Sequence, residues 1–112
     1  MEIELGSDYN LEISNQFYNS FDDILRYLLE LSPKVHNTFK KDIISCIDKI
    51  FVHPLAYSIL KTNNTKREYR RIVFKKNYQL IYFIEGNNIL LCDILHVKRN
   101  PRVFKYLDNI SS

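Results

Sequence analysis

The sequence predicts an α+β fold of order β-α-α-β-β-β, a helical hairpin packed on a small antiparallel sheet. Three observations carry this. Apolar residues recur at helical spacing up to Ile50, and the period turns strand-like after Tyr57. Ser32-Pro33 joins two such helical stretches, with Pro33 suited to a first helical position. Glu85-Gly86-Asn87-Asn88 separates two apolar runs and is a strong hairpin signal, because Gly and Asn tolerate positive φ.

The elements follow in order. Tyr9 to Ser14 alternates apolar and polar residues, the period of a half-buried strand. Ser20 can cap a first helix, with Asp23 in the acid position of a capping box. Phe21, Ile24, Leu25 and Leu28 then share one face, so this helix is expected over residues 20–31. A second helix is expected over 33–52, with Val35, Phe39, Ile43, Cys46 and Ile50 on its apolar face and His53-Pro54 as its stop. Residues 61–68 read as a polar loop. Strands are expected near 69–75, 78–84 and 89–97, with Lys76-Asn77 as a tight turn. Pro101 marks a break, and Val103 to Leu107 is expected to form a last helical turn. One domain is expected over residues 1–112.

Composition bounds the function classes. The 112 residues are 46% hydrophobic and 26% charged, ordinary values that argue against native disorder. With 2 Gly and 3 Pro, collagen-like and low-complexity readings fail. No apolar run approaches the roughly 20 residues of a membrane helix, and the acidic start Met1 to Leu5 is not that of a secretory signal. Cys46 and Cys92 are far apart and outside any CxxC pattern, so free thiols in a reducing cytoplasm are expected.

The net charge of +3 is unevenly spread. Residues 1–64 hold 6 Lys/Arg and 9 Asp/Glu, whereas residues 65–112 hold 10 and 4. A solvated face would explain this, and so would a basic working half that meets a polyanion. The basic residues cluster at strand ends and turns: Lys66, Arg67, Arg70 and Arg71, then Lys75 and Lys76, then Lys98, Arg99, Arg102 and Lys105. Antiparallel pairing would bring the clusters together. Aromatic residues lie among them, a mixture that suits single-stranded nucleic acid. Tyr78 and Tyr82 flank Leu80 on one strand face and read as core, whereas Phe104 follows the break and is a candidate stacking ring. By strict alternation Leu90, Cys92, Ile94 and His96 oppose Ile89, Leu91, Asp93, Leu95 and Val97. Both sheet faces are then apolar, which points to a protein partner over the second one.

His96 closes the last strand, three residues before Arg99. Its imidazole suits general acid–base work near neutral pH, and an Arg beside it suits a phosphate transition state. A histidine at a strand end also commonly just bonds backbone. His36 and His53 read as structural. The histidines are too scattered for a metal site, and no cofactor motif or nucleophilic triad stands out.

Lys66 to Phe74, then Asn77 to Tyr82, then Ile94-Leu95-His96-Val97-Lys98-Arg99-Asn100-Pro101, resemble the ParE/RelE superfamily of toxins of bacterial type II toxin–antitoxin modules. The pattern is an Arg-bearing strand, a Y-x-x-x-Y strand, and a final strand ending in H-x-x-R and N-P. The resemblance spans roughly residues 9–107 and implies the fold above, a toxin role and a cognate antitoxin. RelE-like members cut mRNA on the ribosome, and ParE-like members poison DNA gyrase without nuclease activity. By this resemblance Arg70 matches a basic position on the first meander strand, and Arg99 the Arg after the last. Ile72 and Gln79 stand where RelE-like nucleases often carry a lysine and an arginine, and Phe104 or Lys105 falls near a catalytic Tyr. The expectation is a cytoplasmic, ribosome-dependent mRNA endonuclease without cofactor. His96, Arg99 and Arg70 are its catalytic candidates, and Arg67, Arg71, Lys98, Arg102 and Phe104 its substrate contacts. A non-catalytic gyrase inhibitor and an inactivated antitoxin-binding module are the alternatives.

Overall fold

The structure is a computed structural model. It describes residues 9–62, 65–98 and 101–110, with the side chains of 101–103 outside the description. Five strands form one mixed sheet in the order β1-β5-β4-β3-β2. β1 is Asn10–Ile13, α1 Asn15–Leu31, α2 Pro33–Val52, β2 Ser58–Ile59, β3 Arg70–Phe74, β4 Tyr78–Glu85 and β5 Asn88–His96, and a 3-10 segment runs over Pro101–Asn109. The expected antiparallel meander is β3-β4-β5. The first strand joins it in parallel, from Asn10 opposite Asn88 to Ile13 opposite Leu91.

The first helix starts earlier than Ser20 suggested. Ser14 is its N-cap: the hydroxyl accepts the Phe17 N–H at 3.0 Å and donates to the Cys92 carbonyl at 2.7 Å. One buried serine therefore satisfies an orphan helix donor and welds the helix start to the central strand. Ser20 falls inside the helix. Ser32 serves both helices. Its N–H bonds the Leu28 carbonyl, and its hydroxyl accepts from Val35 N–H at 3.4 Å, with Pro33 next in line. The hairpin lies on one face of the sheet. Phe39 is its centre, touching Phe21 on α1, Phe74 on β3 and Tyr78 on β4 at ring separations of 5.1–6.2 Å.

A bulge in β5 breaks the strict alternation expected from the sequence. Ile81 pairs with Asp93 but Tyr82 with Leu91, so Cys92 is an extra residue. As a result Ile89, Leu91 and Ile94 all join the helix-side core, while Leu90, Cys92 and Leu95 lie in a second one. The Gly86 turn between β4 and β5 has φ +60, the positive value a tight two-residue hairpin needs.

The second sheet face is covered by the chain itself, which corrects the inference that a partner must cover it. Phe104, Leu107 and Ile110 pack there with Ile81, Phe83 and Tyr69. Polar bonds hold this C-terminal strap. The Tyr106 hydroxyl donates to Asp93, and Asp108 accepts from Lys66 N–H at 2.7 Å and from Tyr69 hydroxyl at 2.8 Å.

Candidate functional site

The meander sorts the basic residues to two ends of the sheet. At one end, Asn77 in the β3-β4 turn accepts the Val97 N–H at 2.8 Å, and Tyr78 pairs with His96. This places Lys75, Lys76, His96 and Lys98 around the end of β5. Lys75 and Lys76 both have positive φ, 52° and 63°. Neither has the glycine or asparagine such a turn favours, so the turn stores backbone strain while presenting charge. Lys75 is partly neutralised by Asp42 at 3.3 Å.

The His96 ring is exposed and meets the Tyr78 ring edge-on at 5.7 Å. Its Nδ1 accepts the Lys98 N–H at 3.3 Å. In the neutral imidazole that bond leaves the proton on Nε2, which can act as a donor to a ligand. Behind it, Gln79 is 1% exposed and bridges two neighbours. It accepts from Arg71 Nη1 at 3.0 Å and donates to the His96 carbonyl at 3.3 Å. Gln79 thus holds Arg71 against the strand that carries His96. The sequence marks Gln79 only as a departure from the nuclease pattern; its polar side chain between Tyr78 and Leu80 on β4 is the signal for this bridging role.

Arg70 and Arg67 are at the other end. Arg70 pairs with Tyr82, four residues along β4 from the Tyr78–His96 pair. That is roughly 13 Å along the strand, before two strand spacings are added across it. The Arg70 guanidinium donates to the carbonyls of Tyr57 at 2.7 Å and Leu55 at 3.3 Å, with Glu68 at 3.7 Å. It fastens the connection between α2 and β2. Tyr82 fastens the same connection through Pro54, and burial pushes its phenol up to about 12. Arg67 lies 4.6 Å over the Phe83 ring and donates to the Ile110 carbonyl at 3.3 Å, so it holds the strap.

Phe104 is 3% exposed in the second core, and Lys98 is exposed. Arg99 lies outside the described residues, as does the side chain of Arg102. The structure therefore gathers His96, Lys98 and, through Gln79, Arg71, but leaves Arg70 and Arg67 apart from them. Among the described residues no group of three or more His, Cys, Asp or Glu could hold a metal ion, and no helix is long and apolar enough to cross a membrane.

The family model for the ParE toxin of the type II toxin–antitoxin system parDE matches residues 11–101. The chain belongs to this family. The match takes in most of β1, both helices and the whole meander, and stops where the C-terminal strap begins. As a ParE-family toxin it has a cognate antitoxin as its partner. No curated protein matches it.

Proposed function

We propose that this ParE-family toxin acts in the cytoplasm as a non-nucleolytic inhibitor of DNA gyrase. The observation that carries the reading is the engagement of Arg70. RNA cleavage needs an acid–base group and a phosphate-holding cation on the same phosphate. Arg70 is tied to Leu55 and Tyr57, and its pair on β4, Tyr82, lies four residues along the strand from Tyr78, the pair of His96. Side chains of ordinary length do not close that gap. A toxin that works by binding needs no such convergence, and the cationic turn at Lys75-Lys76 with Lys98 suits a contact surface.

A second reading, ribosome-dependent mRNA cleavage, is favoured by one observation: His96 is exposed among basic residues, with its Nδ1 already bonded. In that reading His96 is the acid–base group, and Lys98, Arg99 and Arg71 replace Arg70 at the phosphate. The deciding experiment is a gyrase supercoiling assay run beside mapping of mRNA ends in a translating cell-free extract. Loss of supercoiling with unchanged mRNA ends supports the first reading. New mRNA ends with unimpaired gyrase overturn it. No effect in either assay, with growth unharmed, overturns both and leaves an antitoxin-binding module.

A further inference from the structure

We propose that the solvent face of the helical hairpin is a homodimer interface: two copies pair there as a four-helix bundle, with α1 of each lying on α2 of the other. This pairing is independent of whether gyrase or RNA is the target.

The two helices carry the same surface pattern. On α1, Tyr18, Asp22, Leu25 and Leu29 follow at steps of four, three and four residues. On α2, Lys40, Ile44, Ile47 and Phe51 do the same. Each set is one stripe, about a quarter-turn from the line its helix buries: Phe17 and Leu28 on α1, Phe39, Ile43 and Ile50 on α2. The opposite flanks reach the sheet, where Ser20 on α1 bonds Asp93 and Asp42 on α2 meets Lys75. Both stripes are offset in the same sense on helices that run in opposite directions, so they converge on the solvent side of the hairpin. Ile44 is 60% exposed there, and Tyr18 and Leu29 are 50% exposed. Leu25, Ile47 and Phe51 are half-buried, with their other sides against the core. The outer face of a surface helix is ordinarily polar, and an apolar stripe there marks a contact surface.

Charge fixes the occupant and its orientation. The α1 stripe holds Asp22 and the α2 stripe Lys40, and neither has an ion-pair partner among the described residues. Asp22 stands ten residues before Ser32 and Lys40 eight residues after it. The two are therefore within about 3 Å of the same height along the hairpin. A twofold axis parallel to the helices lays α1 on the second copy's α2 and brings Asp22 level with Lys40, once on each side of the axis. The rest of each helix agrees. α1 carries Asp22, Asp23 and Glu30 against Arg26, whereas α2 carries Lys34, Lys40, Lys41 and Lys49 against Asp42 and Asp48. An axis across the helices would instead lay acidic α1 on acidic α1. Helices of 17 and 20 residues, packed about 8–10 Å apart, present a face of roughly 25 by 20 Å. That is on the order of 500 Å² for each copy, the low end for a specific interface, so association in the micromolar range is expected.

The test is sedimentation equilibrium of the purified full chain from about 1 to 200 µM. The mass should rise with concentration from 13.4 kDa toward twice that value. Ile44→Glu should raise the dissociation constant by about tenfold or more at unchanged Tm. Asp22→Lys and Lys40→Asp should each raise it by about tenfold, because the twofold axis makes each substitution act twice. The double variant exchanges the charges and should return to within about threefold of the unaltered chain. A chain that stays at 13.4 kDa throughout overturns the proposal. So does a dimer that Ile44→Glu leaves intact, because its interface then lies elsewhere. A dimer that the charge exchange fails to restore overturns the arrangement of α1 on α2. Should Ile44→Glu lower Tm, the charge exchange, made at two exposed positions, decides. Hydroxyl-radical labelling of Tyr18 and Leu29 should fall as the chain alone is concentrated. If it falls only when the antitoxin is added, the face belongs to the antitoxin and the proposal fails. Supercoiling and mRNA-end assays read a different property, so the two proposals fail separately.

Discussion

Arg70 and His96 sit at opposite ends of one stretch of β4: Arg70 is paired with Tyr82, and His96 with Tyr78. Both belong to the helix side of the sheet, yet the register keeps them apart. Arg70 is turned inward to the carbonyls of the α2-β2 connection, whereas His96 is exposed at the strand end. This relationship separates a structural arginine from an available histidine, and the first two predictions test that separation.

Arg70→Ala should act on stability. It removes charge-assisted bonds to the Tyr57 and Leu55 carbonyls, a loss of about 1–3 kcal/mol. Toxicity should fall in step with Tm, and Arg70→Lys should recover part of both. Urea unfolding of the three proteins checks this. Lost toxicity at wild-type stability would instead make Arg70 a contact residue.

His96→Ala should behave in the opposite way. The ring is exposed and its main neighbour is the edge of Tyr78, so stability should change by less than about 1 kcal/mol. Inhibition of supercoiling should persist. A fall in toxicity on the order of 10²-fold, at normal Tm and with mRNA ends returning to background, would assign the imidazole to RNA cleavage.

Phe104→Ala should unfold the strap from the sheet. The ring is 3% exposed in the second core, and emptying such a site costs about 3–5 kcal/mol. Phe104→Leu should restore most of the stability. If Phe104→Ala keeps its unfolding midpoint while losing target binding, the ring is a contact rather than a core residue.

The helical hairpin and the meander were legible because their signals are local. Ser32-Pro33, the Gly86 turn and the period change after Tyr57 each act within a few residues. Features that depend on distant partners were not. Ser14 outcompetes Ser20 as a cap because its hydroxyl also reaches Cys92, 78 residues away. The alternation of Tyr9 to Ser14 marked β1 as a strand, but its parallel pairing with β5 left no mark in the sequence. The bulge at Cys92 changes which β5 residues face the helices, and no turn residue marks it in the sequence. At the site, the charge asymmetry was visible, but the partners of Arg70 are backbone carbonyls of a loop and leave no trace in residue identity. The self-covered second face was hidden because Phe104, Leu107 and Ile110 look like a tail until the sheet beneath them exists.

Two carboxylates fasten the strap, and their pH dependences should run in opposite directions. Asp93 is 1% exposed, and burial pushes its pKa up from the ordinary 3.8 despite donors from Tyr106, Ser20 and the Ile94 N–H. The folded chain therefore holds this proton more tightly than the unfolded one. The stability it contributes is present below the ordinary carboxylate value and is lost as pH rises through the raised one. Burial also opposes ionisation of Asp108, but donors from Lys66, Tyr69 and Arg67 outweigh it and hold the pKa below 3.8. Its contribution is present above the ordinary value and is lost as pH falls through the lowered one. Asn cannot titrate at either place. The Tm of Asp93→Asn relative to wild type should therefore climb between about pH 4 and pH 7. The Tm deficit of Asp108→Asn should be widest near neutrality and shrink below about pH 4, as the wild-type carboxyl takes up its proton. Tm measured for all three proteins across that range checks both slopes. Curves that stay parallel to wild type would show that neither carboxylate is linked to folding. A deficit in Asp93→Asn that deepens as pH rises would show that the fold prefers the charged Asp93.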